Sequence, residues 1–451
     1  MRTRVRADFS SDLATMGARI ALPRAAVWRA LGGDIGWQTA VLYGSQLGSS
    51  ALNALFLAAV ARSLTKEQFD VFTLCAVSLL PNLGYVFEFG VFSAGARLLA
   101  VAADRQEERR LLGALLAAGV SIGALFALAV AACAPLVDGL YRTHAQGILL
   151  AAAPLAAVVP LQQFVEVAGL STNRIGLLSG YRVALAVSNI GVAAALMNLG
   201  VLTPKSAVAG TLAASALCVG LVAIALRPSV RGVAGGIRPL LAATREYGLR
   251  MYTARLVSFA SARLDTLLVP YLVGTANIGL YSAAQKLTQP MSSLARAMAA
   301  TRFKAFANGA EVSARVFAWN VAMLSGVACV MALAGPLVFL LLFGDAYRAG
   351  VPLLVPFTLV ALLAGLVQPF NIFLAAHGRG RELRNISLLV GTINCLGLLI
   401  VVPVHGLLGA AWWACLSALV HLLAHLGYYR TARSDLSDRA PERSTRGSGF
   451  E

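Results

Sequence analysis

The chain has 451 residues, of which 58% are apolar or aromatic and only 13% charged, and its mean hydropathy is +0.75. A soluble fold of this length needs polar surface that such a composition lacks, so soluble classes are excluded. The net charge of +17 would suit a nucleic-acid binder. The basic residues, however, stand in short blocks between long apolar runs, which makes them a membrane-topology signal and argues against nucleic acid as the partner.

The N-terminal "MRTRVRADFSSDLATMGARI" is basic but has no apolar core before a small-residue cleavage site, so it does not read as a signal peptide. It reads either as a short helix on the inner leaflet or as a disordered basic tail. A membrane helix needs about 20 mainly apolar residues. Twelve such stretches follow, at about 38–60, 71–92, 111–133, 147–169, 179–199, 206–226, 253–273, 279–300, 318–343, 352–375, 386–403 and 407–428. The second is the weakest, because it contains Pro81, Asn82 and Glu88. None alternates with the period of two that a membrane barrel requires. The fold class expected is therefore an all-α integral membrane protein of about 12 transmembrane helices.

With the N-terminus inside, 29 of the 37 Lys and Arg fall on the cytoplasmic side and five on the other, and Arg263, Lys286 and Arg296 lie within spans. Both termini are accordingly expected in the cytoplasm. The basic segment "RPSVRGVAGGIRPLLAATREYGLR" divides the spans six and six, and its arginines suit the anionic lipids of the inner leaflet. The organisation expected is a cytoplasmic basic segment 1–35, a six-helix bundle 36–226, a basic linker 227–250, a second bundle 251–429 and a flexible cytoplasmic tail 430–451.

Enzyme classes find no support. No outer loop exceeds about a dozen residues, which is too short for an extracytoplasmic domain. The inner loops hold no phosphate-cradling GxxxxGK[ST] or GxGxxG, and HExxH and GxSxG are absent, so no cofactor is expected. His421 and His425 are i,i+4 but lack a third ligand, so no metal is expected. The six cysteines all lie in apolar runs without a CxxC and read as buried thiols. Transport is left as the leading class.

Ionisable groups inside spans are costly and usually face protein or a wet cavity. Glu88 in "YVFEFG" is either an interfacial carboxylate or a cavity group. Glu166 shares a helix face with Gln162, which suits a cavity lining. In the seventh span, Arg263 and Asp265 point to different faces, while Ser258, Ser261 and Asp265 share a broad one. Lys286 follows in the eighth beside Gln285 and Gln289. The concentration of Arg263, Asp265 and Lys286 on two neighbouring helices suggests an anion-facing cavity.

At an offset of 209, "LTKEQFDVFTLCA" lies against "VGTANIGLYSAAQ", with Phe69 opposite Ile278 and Phe72 opposite Tyr281. Together with the six-plus-six division, this suggests two parallel repeats related by an axis along the membrane normal.

The stretch "LDTLLVPYLVGTANIGLYSAAQKLTQP", with its Asp-bearing span, short Gly turn, Gly-x-Tyr and Ser-x-Ala, resembles the polysaccharide-transporter branch of the multidrug/oligosaccharidyl-lipid/polysaccharide exporter superfamily. "RSLTKEQFDVF", "LLFGDAYRAGVPLL", "LAAHGRGRELR" and "PVHGLLGAAWW" extend the likeness over roughly residues 35 to 430. Asp70 stands where that family usually has Gly, and Glu88-Phe89-Gly90 where Asp-x-Gly is common. The resemblance implies two pseudo-symmetric six-helix bundles around a basic cavity. It implies translocation of a polyprenyl-pyrophosphate-linked oligosaccharide across the bacterial cytoplasmic membrane, for O-antigen, capsule or exopolysaccharide synthesis. A polysaccharide polymerase or glycosyltransferases of the same pathway would be partners. Arg24, Arg263 and Lys286 would contact the anion, and Glu88, Glu166 and Asp265 would shape the cavity or couple ions. The alternative is a cation-coupled multidrug or small-molecule antiporter.

Overall fold

The computed structural model describes residues 34–229, 233–263, 265–274, 277–300 and 312–446, which are helical with no strand among them. The first half comprises α1 (Asp34–Ser63), α2 (Lys66–Val86), α3 (Val91–Ala100), α4 (Arg105–Tyr141), α5 (Gln146–Ala156), α6 (Val158–Ser171), α7 (Ile175–Asn198) and α8 (Pro204–Leu226). The second comprises α9 (Val233–Ala243), α10 (Leu249–Arg263), α11 (Asp265–Val273), α12 (Ile278–Ala300), α13 (Ala314–Phe343), α14 (Leu354–Ala376) and α15 (Gly380–Arg446).

Local chemistry sets these boundaries. Thr65 and Gln68 form a capping box that starts α2, and Thr203 and Ser206 form another, followed by Pro204, at α8. Phe89 and Gly90 take positive φ between α2 and α3. The backbone of Gly90 meets that of Gly248 so closely that a Cβ would collide. Pro154 and Pro160 flank a 41° bend between α5 and α6. Gly406 adopts φ 59° and ψ −148° inside α15 and breaks that run between the last two expected spans.

Seven helical stretches among the described residues are long and apolar enough to cross a membrane, and the bent pair α5–α6 is an eighth. Helix also underlies the remaining expected spans, on α1, on α10–α11 and on α12. The helices α1, α10 and α12 carry amide, hydroxyl and cationic side chains and line the cavity described below. Exposed apolar side chains such as Leu128, Leu333, Leu337, Ile400 and Val404 clothe the outside in hydrocarbon, as a lipid-facing surface requires. Burial separates central from peripheral helices: 61% of the apolar window of α2 is buried, against 17% for α7.

Two further regions carry helix. The basic linker contains α9 and a π-helical turn, Thr244–Gly248, and α9 packs on α4, with Gly236 against the Arg110 carbonyl and Gly113 against that of Ser229. The tail expected to be flexible continues α15 to Arg446. Extending a formed helix avoids the cost of nucleation.

The halves interlock in matched fashion. The first helix of each half packs on the second helix of the other, α1 on α12 and α10–α11 on α2. Asp70 and Gly279, 209 positions apart, touch: Asp70 accepts the Gly279 N–H at 2.7 Å and the Asn277 N–H at 2.9 Å. At the same end Arg62 donates to the Leu341 carbonyl and to that of Leu342, the latter at 2.8 Å. An acid thus caps the N-terminus of α12 and a base the C-terminus of α13, each matched to the sign of the helix end. The Phe69 and Tyr347 rings meet edge-on at 5.5 Å beside them.

Candidate functional site

Away from this clasp, three adjoining compartments of 390, 380 and 300 Å³ form one cavity. Gln162 lines all three, Arg263 the first two, and Asn53 the last two.

Helical periodicity assembles the walls. On α1, Gln46, Ser49 and Asn53 fall at intervals of three and four and share a face. Arg255, Phe259 and Arg263, at intervals of four, share a face of α10. Gln162, Gln163 and Glu166 come from α6, Tyr181, Arg182 and Asn189 from α7, and Lys286 from α12. Tyr85 and Phe259 stack at 5.5 Å where the halves meet, and beside them Asn82 donates to Thr266 at 2.8 Å.

The structure divides the sequence-predicted residues. Arg263 and Lys286 line the middle compartment together, and neither forms an ion pair with a described carboxylate. Glu166 lines the 300 Å³ compartment but is held by Arg182 through two hydrogen bonds, of 3.0 and 2.6 Å. Glu88, 1% exposed, lines none of the compartments; it pairs with Arg255 and accepts from Ser93 at 3.1 Å. Asp265 also stays off these walls, buried with the Tyr281 hydroxyl 3.4 Å away. Arg24 lies outside the described residues, as do the side chains of Ser258 and Ser261.

The sequence reading passed over Asn53, Gln46, Arg182 and Arg255 as site residues. The signal for α1 was present as Gln46, Ser49 and Asn53 at helical spacing in a mainly apolar run. The signal for the two arginines was weaker, because each also reads as a positive-inside residue. His421 and His425 sit with rings 4.6 Å apart, and no group of three metal-binding side chains occurs among the described residues.

The arrangement places two cations among apolar helices in a compartment whose described walls hold no carboxylate. Charge in such a setting is costly, and a bound anion would offset it. Lys supplies three donors as a compact charge, and Arg a planar fork suited to phosphate oxygens.

The fold is shared with solved membrane transporters. One is a lipid II flippase MurJ in an inward closed conformation, with 14% identity, a TM-score of 0.67, and coverage of 86% of this chain and 87% of that one. Another is an inward-facing multidrug resistance MATE family transporter of the MOP superfamily, with 14% identity, a TM-score of 0.69 and coverage of 87% and 96%. An outward-facing MATE family transporter gives 15% identity, a TM-score of 0.62 and coverage of 91% and 98%. No curated protein matches the chain in sequence. These neighbours are transporters and a flippase, and the chain shares their multi-helix fold. The family model described as "Polysaccharide biosynthesis protein" matches residues 42–351, about two thirds of the chain, and the chain belongs to that family.

Proposed function

We propose that the protein flips a polyprenyl-pyrophosphate-linked oligosaccharide across the bacterial cytoplasmic membrane by alternating access, for O-antigen, capsule or exopolysaccharide synthesis. The observation that carries this reading is that Arg263 on α10 and Lys286 on α12 line one compartment whose described walls hold no carboxylate. The diphosphate would sit between them with the glycan in the cavity, while the polyprenyl chain stays in lipid. No covalent step is needed: a polar route lowers the barrier that hydrocarbon sets against a charged head.

In this reading the chain crosses the membrane twelve times in two bundles, 36–226 and 251–429. Both termini are cytoplasmic, and the Asp70 clasp lies on the opposite side. Anionic lipids contact the basic inner segments, and the pathway's polymerase or glycosyltransferases are the protein partners. The antiporter alternative has less support in the cavity. The only carboxylate on its described walls is Glu166, and Arg182 already neutralises it.

Translocation in proteoliposomes tests the reading. Arg263→Ala and Lys286→Ala should each slow transfer of the lipid-linked glycan by about tenfold or more, the scale of a lost charge-assisted contact. Arg439→Ala in the tail should leave transfer unchanged. Equal transport by all three at matched protein levels refutes it.

A further inference from the structure

The cavity's polar lining divides by chemistry. The free polar charges are Arg263 and Lys286 in the middle compartment. The compartment between α1, α6 and α7 is lined instead by amides and hydroxyls, with Gln46, Ser49 and Asn53 on one wall and Gln162 and Gln163 on another. Its two charged groups cancel, since Glu166 and Arg182 are paired in bidentate fashion.

The side-chain amides of Gln46, Asn53, Gln162 and Gln163 form no hydrogen bond with any described residue. Each offers two donors and an acceptor oxygen. Holding four such groups on an internal wall of a membrane bundle calls for water or a ligand to match them. A hydroxyl also donates and accepts, so a surface dense in hydroxyls complements a surface dense in amides. A neutralised ion pair gives an extra anionic group no Coulomb attraction there, and burying a charge without a counter-charge is unfavourable.

We infer that this amide-lined compartment seats the sugars nearest the diphosphate, and that it takes neutral, hydroxyl-rich sugars in preference to acidic ones. Asn53 and Gln162 are the specificity-determining residues. Both also border the compartment that holds Arg263 and Lys286, so they stand where the glycan leaves the diphosphate. The inference rests on the flippase reading and adds the class of glycan and the half of the protein that reads it.

The test is equilibrium binding of three lipids built on the same polyprenyl pyrophosphate: one without sugar, one with a neutral trisaccharide, and one with a trisaccharide of equal length bearing a uronic acid. The parent protein should bind the neutral trisaccharide lipid more tightly than the bare lipid, and the acidic one more weakly than the neutral one. Asn53→Leu and Gln162→Leu should each remove about fivefold to tenfold of the advantage conferred by neutral sugars. Their affinity for the bare lipid should fall by less than that for the neutral trisaccharide lipid, and melting temperatures close to the parent's should report that the variants are folded. Arg263→Ala should weaken all three lipids together. Sugar preference retained in both leucine variants overturns the inference, as does tighter binding of the acidic glycan by the parent. Equal weakening of the bare and sugar-bearing lipids in the leucine variants also overturns it, because it leaves the amides as a non-selective polar route. An Arg263→Ala protein with all three affinities intact overturns the flippase reading itself.

Discussion

Replacing Asp70 tests how the two halves are held together at the end away from the cavity. Its carboxylate accepts two backbone N–H groups at the start of α12, at 2.7 and 2.9 Å. Hydrogen bonds to a charged group are worth about 1.5–3 kcal/mol each. When the clasp opens, water recovers part of that at the exposed helix end. A net loss of about 2–3 kcal/mol on Asp70→Ala corresponds to a shift of about 30- to 150-fold toward the state in which α2 and α12 have parted. Asp70→Asn should fall only slightly short, because its amide oxygen can meet one N–H while its NH₂ confronts the other. The assay is a distance distribution between spin labels at Glu67 and Arg348, both exposed at the clasp, in a protein freed of its six cysteines. The parent should give one short distance, and the variant should gain a longer one. An unchanged distribution in an Asp70→Ala protein of normal thermal stability would show that Arg62 and the Phe69–Tyr347 contact close this end without it.

The pairing of Glu88 with Arg255 sets a second expectation. Arg255→Ala leaves a carboxylate that is 1% exposed without its cation, a loss of about 3–5 kcal/mol, whereas Glu88→Gln keeps hydrogen-bonding capacity and should cost about 1 kcal/mol. Melting temperatures in detergent should therefore rank parent, Glu88→Gln, Arg255→Ala, and the reverse order of the two variants refutes the buried-charge argument. The twelve-span topology predicts that a single cysteine at Arg348 reacts with an impermeant thiol reagent in intact cells while one at Gly235 does not. Both positions are exposed, so strong labelling of Gly235 from outside would reverse the assignment. The neighbouring Tyr347 is a poor reporter, being buried against Phe69 and Phe343.

Much of the fold was legible because membrane helices announce themselves by run length. The break at Gly406 falls between the two expected spans 386–403 and 407–428, and the bend at Ala157 lies inside the expected span 147–169, which contains Pro154 and Pro160. The cavity was half legible. Arg263 and Lys286 stand out because charge inside a span has few reasons to be there. Asp265 stands out for the same reason, yet it lies off the described cavity walls. Spacing assigns a residue to a face of its own helix and is silent about which neighbour that face meets, here Tyr281 on α12. Glu88 was open for the same reason: its partner Arg255 is 167 residues away. The polar face of α1 was readable from its period but was outshone by charges elsewhere.

The distribution of chemistry between the halves bears on how binding could drive the conformational cycle. Asp70 and Gly279 stand at matched positions of the 209-residue offset and they touch, so the contact joins the two halves. A symmetric protein would line both halves alike. Here the unpaired cations come from α10 and α12 of the second half, and the unmatched amides from α1 and α6 of the first. A ligand shifts a conformational equilibrium only by its differential affinity for the two states. A ligand held by cations alone would ride on one half and gain little from the position of the other. A ligand carrying both a diphosphate and hydroxyl-rich sugars touches both halves, and its affinity then depends on their separation. On the proposed reading, a bare polyprenyl pyrophosphate should bind through Arg263 and Lys286 yet leave the Glu67–Arg348 distance distribution unmoved, whereas the glycosylated lipid should change it. A shift of equal size with the bare lipid would place the coupling in the diphosphate alone.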